Sequence, residues 1–391
     1  MSEVGRPGGA PPPACFDASR GPAHEMINRI RRMGRITFAE FMDIALYWPD
    51  GGYYAGGSGV WGSSGDYVTN LDISPVFNKI IARQVHEMWE SLGAPPEFEL
   101  IEAGAGRGWL SKGILGVLDD FFPDLGRVIK VRLVEKNANL RQSPAGRISW
   151  HADIKDVAGG VKGCILSNEL IDSFPVHRVI RDGEGLKEVY TCFDGSGFFD
   201  VVAEPSTDEL DAYFKDLNVT LAAGQMAEVN LKVREWITGA SSLLDAGFVM
   251  TIDYGWPARE LYAPERMRGT LRCRFKHTLS DNPYINIGSQ DITAHIDFTT
   301  LSREGAKAGL GVTGFTTQKN FLLGAGIIGE LEELTTGPDP GSLEKLKHNQ
   351  AIKELIMPGG MGDDFKALIQ HKGVDKPRLM GFSFKDMSSY L

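Results

Sequence analysis

The stretch Glu102-Ala103-Gly104-Ala105-Gly106-Arg107-Gly108-Trp109 carries the clearest chemical signal in the chain. An apolar run precedes it and a helical pattern follows. Glycines there let a ligand approach the backbone, and a helix start offers N–H groups without intrahelical partners. A dinucleotide fingerprint, G-x-G-x-x-G, would need its third glycine at 109. Trp109 stands there instead, where close helix–strand packing calls for glycine. That argues against a nicotinamide dehydrogenase. The pattern E-x-G-x-G-x-G is the form expected of S-adenosylmethionine binders. In it, Glu102 engages the ammonium end of a zwitterionic methionine, and Gly104, Ala105 and Gly106 line the approach. The competing reading is a tight turn.

Further carboxylates recur at strand ends. Val134-Glu135 closes a second apolar run, 27 residues beyond Gly108. Glu135 there can accept from both ribose hydroxyls of any adenosine ligand. Asp153, after Trp150-His151-Ala152, lies where a third strand should end and could accept from an adenine amino group; capping is the other option. A fourth run leads into Ser167-Asn168-Glu169-Leu170-Ile171-Asp172-Ser173-Phe174-Pro175. In open α/β sheets ligands bind at the carboxyl ends of strands. Carboxylates three apart would share one side of a helical turn. Methyl transfer asks mainly that an electron-rich nitrogen be aligned with the donor methyl. Glu169 and Asp172 could orient a planar guanidinium and relieve it of a proton. Downstream, Asp291, His295 and Asp297 have no decisive metal-ligand spacing, and there is no H-E-x-x-H. The expectation is no metal, with His295 as a substrate-side acid or base.

The elements that must position these groups fall into three stretches. Residues 1–22 hold five Pro and four Gly, a composition that cannot bury enough apolar surface to order itself. Residues 23–96 read as helical. Thr37 to Glu40 forms a capping box and Pro49 ends that helix. A glycine-rich loop then runs to Asp66 and Thr69, and a second helix starts near 75. From 97 the pattern alternates strand and helix: strands at 98–103, 128–134 and 163–167, helices at 109–118 and 137–142. This predicts an α/β fold with a parallel, doubly wound sheet. Strands near 174–181, 185–193 and 196–203 read as an antiparallel insertion. A helix at 227–244, a strand at 248–252, a long loop at 255–297, a helix at 299–308 and a strand at 311–318 follow. A helical stretch at 320–370 and a last strand at 378–384 complete the chain.

Composition limits the partners. Hydrophobic residues make up 42% and charged residues 24%, as in ordinary globular domains. The net charge of −10 lacks the basic field that drives nucleic-acid binding. No apolar run reaches the ~18 residues of a membrane span. Four cysteines without a C-x-x-C pair fit a reducing compartment. Residues 1–22 carry only Arg6 and Arg20 as bases, which makes a poor mitochondrial presequence. The expectation is a cytoplasmic protein.

Taken as a set, several motifs resemble those of the MidA-type family of S-adenosylmethionine-dependent methyltransferases. They are Ala45-Leu46-Tyr47-Trp48-Pro49 with Gly52-Tyr53-Tyr54, Gly65-Asp66-Tyr67-Val68-Thr69, and the 102–108 loop. Asn168 to Pro175, Ile252-Asp253-Tyr254-Gly255, Gly269-Thr270-Leu271-Arg272, His277 and the 290–298 segment follow in order. The resemblance runs from about 36 to 384. That family includes a mitochondrial protein-arginine methyltransferase that assists assembly of respiratory complex I. The resemblance implies a class I methyltransferase fold, a Rossmann-like seven-stranded sheet with a helical N-terminal region. On this reading residues 97–391 form the methyltransferase domain, with insertions at about 174–226 and 255–298. It also implies S-adenosylmethionine as cofactor, held by Glu102, Gly104, Ala105, Gly106, Glu135, Asp153 and Asn168, with Asp66 and Thr69 closing over it. Glu169, Asp172 and His295 face the methyl acceptor. A protein arginine is the implied acceptor, with respiratory-complex subunits among the candidates. A small-molecule acceptor and a non-catalytic, cofactor-binding assembly role stay open. The chain departs from the family at Thr69-Asn70-Leu71-Asp72-Ile73-Ser74, where T-S-P-E-I-S is usual, and at Ser289, where Glu is frequent.

Overall fold

A computed structural model describes residues 18–55, 75–276, 278–336, 343–357 and 361–391. Two compact units make up the chain. One gathers Val68–Ile171, Arg234–Gly255 and Phe298–Leu391; the other gathers Met1–Tyr67, Asp172–Val233 and Trp256–Asp297. The region read as N-terminal, 23–96, is thus divided: its part up to Tyr67 joins the two stretches read as insertions, and its part from Val68, with helix Pro75–Ser91, belongs to the sheet unit.

The first of these units is built on a sheet whose main path has seven strands: β1 (Phe98–Ala103), β2 (Ile129–Val134), β3 (Ile148–His151), β4 (Val161–Asn168), β5 (Leu244–Trp256), β6 (Gly311–Thr317) and β7 (Phe365–Lys372). Their order is β6-β7-β5-β4-β1-β2-β3. The pairs β5–β4, β4–β1, β1–β2 and β2–β3 are parallel, while β7 runs antiparallel to both β5 and β6. Strand order therefore reverses between β1 and β4. The loops leaving the carboxyl ends of those two strands flank a topological switch point, the usual ligand crevice of an open α/β sheet.

Helices Pro75–Ser91 and Trp109–Phe121 pack on this sheet. Phe77, Ile80, Ile81, Val85 and Met88 from the first, and Leu110, Ile114 and Leu118 from the second, meet Phe98, Leu100, Val131, Leu133, Cys164, Leu166, Phe248 and Met250 in one core. Each such side chain contributes ~1.5–3 kcal/mol through burial. The 3.6-residue spacing that marked these helices is the spacing that faces the sheet.

In the second unit, helices Gly21–Met33 and Phe38–Tyr47 lie with an antiparallel sheet. Its path runs through Ile36–Thr37, Leu186–Phe193, His177–Arg181 and Met226–Val229, and Phe198–Ala203 pairs with Leu186–Phe193. The capping box is formed: the Glu40 N–H donates to Thr37 Oγ1 at 3.1 Å and the Thr37 N–H to Glu40 Oε2 at 2.9 Å. Strands Arg272–Phe275, Thr278–Ser280 and Asp291–Thr293 form a small sheet of their own.

Several expectations give way here. The first helix begins at Gly21, inside the stretch read as tail; residues 1–17 lie outside the described residues. The helix read at 137–142 is a turn, because Asn137 Oδ1 takes the Asn139 N–H at 3.0 Å and competes with helix formation. Residues 226–229 are a strand and the helix starts only at Lys232. The long helical reading of 320–370 ends before 365, where β7 begins. Six consecutive buried residues in β7 leave no periodicity to tell strand from helix. The last strand, expected at 378–384, is a 3-10 turn at Met380–Phe382. The loop expected at 255–297 instead holds the small sheet.

Candidate active site

Within the sheet unit, the loop after β1 is a run of left-handed backbone: φ is +70° at Gly104, +53° at Gly106 and +70° at Gly108. The N–H groups of Gly104 and Ala105 both donate to Val134 O at 3.0 Å, which pins the loop to the end of β2. A Cβ on Gly108 would stand 2.6 Å from Leu133 Cδ1 and 3.2 Å from the Trp150 ring. The close helix–strand approach is thus made at 108, one residue earlier than a dinucleotide fingerprint places it, and Trp109 is left exposed. Gly104 is exposed as well, and a Cβ there would meet Leu170 Cδ1 at 2.8 Å. Only glycine keeps that backbone bare.

Two carboxylates hold this loop. Glu135 Oε2 accepts the Gly106 N–H at 2.8 Å and its Oε1 accepts the Asn137 N–H at 2.8 Å. A carboxylate offers about four lone-pair sites, so Glu135 keeps acceptor capacity for two hydroxyls. Burial pushes its pKa upward, against the two backbone N–H bonds. Glu102 is 5% exposed and its Oε2 accepts the Ser111 N–H at 3.1 Å, in the first turn of helix Trp109–Phe121. Burial lifts its pKa to about 7, with the bonds from Ser111 pulling the other way. Asn168, at the end of β4, donates through Nδ2 to Glu169 Oε1 at 3.2 Å. Its Oδ1 is buried with no hydrogen-bond partner among the described residues. A buried acceptor in that state asks for a donor. The bare glycine backbone, the spare acceptor sites of Glu135 and the orphaned Asn168 Oδ1 together fit a ligand with hydroxyls and an ammonium group. Asp153 is occupied differently. It caps the turn Ile154–Asp156, its Oδ1 accepting the Lys155 N–H at 3.0 Å.

Glu169 adopts φ +53°, a left-handed conformation costly for a residue with a Cβ. Its N–H donates to Ile252 O at 3.0 Å, while the next two N–H groups, of Leu170 and Ile171, go to Asp253 Oδ2 at 3.3 and 2.8 Å. Asp253 is fully buried, and its Oδ1 takes the Tyr254 N–H at 2.8 Å. Asp253 therefore shapes the turn that carries Glu169. The helical turn expected to align Glu169 with Asp172 does not exist, since the strained residue separates strand from 3-10 turn. The signal for Asp253 was present: like Glu102 and Glu135, it is a carboxylate at the end of an apolar run of the sequence, here 248–252.

In the other unit, Asp172 is 2% exposed and its carbonyl accepts the Ala294 N–H at 2.9 Å, which places it beside the 291–295 segment. Tyr47 donates to Ser173 O at 3.0 Å and stacks on Tyr54, with centroids 5.6 Å apart. Tyr54 donates to Asp291 Oδ1 at 2.8 Å. Burial drives the Tyr47 hydroxyl pKa far upward, and the charges of Asp291 and Asp172 add to it. Sequence reasoning weighed Asp291 only as a metal ligand and missed Tyr47 and Tyr54. The three residues read as a possible metal set go to three different partners: Asp291 to Tyr54, Asp297 to Tyr213 at 2.8 Å, and His295 to Trp256 at 3.2 Å. Asp66, Thr69 and His277 lie outside the described residues.

Two predictions arise from the carboxylates. Glu135→Ala should weaken S-adenosylhomocysteine binding by ~1.5–3 kcal/mol, the value of hydrogen bonds to a charged group. Calorimetry finding no loss would make Glu135 a brace for the loop alone. Glu102 predicts a pH dependence. Binding a cation beside it favours the ionised carboxylate, whose pKa in the free chain is about 7. Affinity for S-adenosylmethionine should therefore be full above that value and fall about tenfold per pH unit below it. Glu102→Gln should remove the dependence; a flat wild-type profile between pH ~6 and ~8 would contradict it.

The family described as "Putative S-adenosyl-L-methionine-dependent methyltransferase" matches residues 80–316. The protein named protein arginine methyltransferase NDUFAF7, mitochondrial, of Mus musculus is 28% identical, over 92% of this chain and 88% of its own. Its Homo sapiens counterpart is 29% identical, over 89% and 83%. A crystal structure of a Burkholderia thailandensis protein bound to S-adenosyl-homocysteine superposes with a TM-score of 0.86 at 29% identity, covering 95% of this chain and 96% of that one. The expectation of a cytoplasmic protein is overturned, because these curated relatives are named mitochondrial. The base count of residues 1–22 was too little to assign a compartment.

Proposed function

We propose that this chain, which belongs to that family of S-adenosyl-L-methionine-dependent methyltransferases, transfers the methyl group to an arginine side chain of a protein. The cofactor supplies an electrophilic methyl group on a sulfonium. The chain's residues do the rest. Glu135 binds the ribose hydroxyls, Glu102 and the Asn168 Oδ1 receive the ammonium, and the exposed backbone at Gly104 admits the ligand. Glu169 and Asp172 orient the guanidinium, and a carboxylate takes the proton that its nitrogen gives up.

The observation that supports arginine is the pairing of buried carboxylates with aromatic rings at 47, 54, 172 and 291. A guanidinium is planar and positive, so it is matched by carboxylate forks and ring faces. The names of the curated relatives point the same way. The experiment is turnover of labelled S-adenosylmethionine with a protein fraction from a deletion strain, read by mass spectrometry. Respiratory-complex subunits are the first acceptors to test. Methylated arginine supports the reading. Label on a small molecule or another side chain rejects the acceptor, and intact cofactor binding without turnover indicates an assembly role.

A further inference from the structure

His295 and Trp256 lie in the same unit, and Trp256 Nε1 approaches His295 Nδ1 at 3.2 Å. An indole N–H donates and cannot accept. The bond therefore requires a lone pair on Nδ1, and in the neutral ring the proton must sit on Nε2.

Both partners are held in place. The His295 N–H donates to Thr270 Oγ1 at 3.1 Å. Thr270 is itself anchored on the buried Glu228, whose Oε2 accepts the Thr270 N–H at 2.7 Å and its hydroxyl at 3.1 Å. Gly269, at φ +69°, permits this approach, since a Cβ there would lie 2.3 Å from Glu228 Oε1. On the indole side, the Arg266 guanidinium lies 4.9 Å from the Trp256 ring centroid and is tethered by its Nε to Glu260 O at 3.0 Å.

We infer that Trp256 is a positioning residue that sets His295 as the Nε2–H tautomer, so that His295 donates at Nε2 and accepts no proton there. This rests on the reading of His295 as an acceptor-side residue and changes its part. A ring that donates at Nε2 engages only acceptor atoms there, and toward a substrate that means a carbonyl or carboxylate oxygen. The proton released by the methylated nitrogen then goes to a carboxylate. His295 contributes to substrate binding, not to base catalysis.

The test is nitrogen NMR of the full chain labelled in its histidines, under conditions where the rings are neutral. The His295 signal is assigned by its loss in His295→Asn. Wild type should show the Nε2–H pattern, and Trp256→Phe, which removes the only donor of the indole, should shift it toward a mixture with Nδ1–H. Nδ1–H in the wild type overturns the inference even if Trp256→Phe fails to fold. With an acceptor protein in hand, Trp256→Phe should raise KM about tenfold, the value of one hydrogen bond. A loss confined to kcat would return His295 to the role of base and overturn it too. The NMR result is independent of the acceptor. If no arginine is methylated while the Nε2–H pattern holds, the proposed function fails and the assignment to Trp256 stands.

Discussion

Gly106→Val should lower affinity for S-adenosylmethionine by at least a hundredfold while the fold survives. Gly106 sits at φ +53° and sends its N–H 2.8 Å to Glu135 Oε2. A β-branched residue is a genuine outlier in that region, at a cost of ~1–2 kcal/mol or more. The loop can relieve the strain only by turning the N–H away from Glu135, a bond to a charged group worth ~1.5–3 kcal/mol. The added side chain also occupies backbone a ligand must approach. Two such effects together amount to roughly a hundred- to thousandfold in affinity. The loop follows a central strand and its Ala105 is buried in the core, but Gly106 brings no side chain to that core, so the melting temperature should drop by only a few degrees, as expected for ~1–2 kcal/mol. Calorimetry showing unchanged affinity would remove the glycine loop from the cofactor site. A collapse in stability would show it to be part of the fold's core.

The second large effect concerns Glu169 and Asp172. Glu169→Gln and Asp172→Asn keep shape and remove charge. If these carboxylates orient a guanidinium, each variant should lose roughly ten- to hundredfold in rate at saturating cofactor, the kinetic equivalent of ~1.5–3 kcal/mol. Cofactor affinity should hold. The left-handed backbone of Glu169 supplies a sharper control. Strain of ~1–3 kcal/mol is kept at functional sites when the surroundings enforce it, and here Ile252 O and Asp253 Oδ2 enforce it. Glu169→Gly should leave the melting temperature unchanged or raise it, because glycine relaxes at φ +53°, and yet the rate should fall. If Glu169 merely closed the strand, the same substitution would cost stability and spare activity. Full rate in both charge-removing variants would exclude them from the acceptor site.

Legibility in the sequence followed how local each determinant is. The strands β1, β2 and β4 were readable because each is a short apolar run ended by a polar or acidic residue, whereas β3, Ile148–His151, is half-buried throughout and has no such run. The capping box at Thr37 was readable because its two bonds join residues three apart. The helices at 75 and 109 were readable from period alone. β7 was not: its residues are covered on both faces by neighbours recruited from distant parts of the chain, so no alternation survives. The strand at 226–229 was read as helix for a similar reason, since its pairing with His177–Arg181 lies far away in sequence.

The glycine loop proposed for the cofactor was determined by the sequence itself, since glycines at 104, 106 and 108 and carboxylates at 102 and 135 act on backbone that is local or on the adjacent strand. The surroundings of the residues proposed for the acceptor side were decided by tertiary structure. Tyr54 meets Asp291 across 237 positions, and Asp172 takes the Ala294 N–H across more than a hundred. Asp253 reaches back 82 residues to hold the turn that strains Glu169. Trp256 is joined to His295 across 39 positions, and that bond sets which ring nitrogen carries the proton. Sequence spacing can announce a carboxylate or a histidine. Which lone pair or proton it presents depends on the partner that chain folding brings within ~3 Å, because hydrogen bonds weaken steeply beyond that reach.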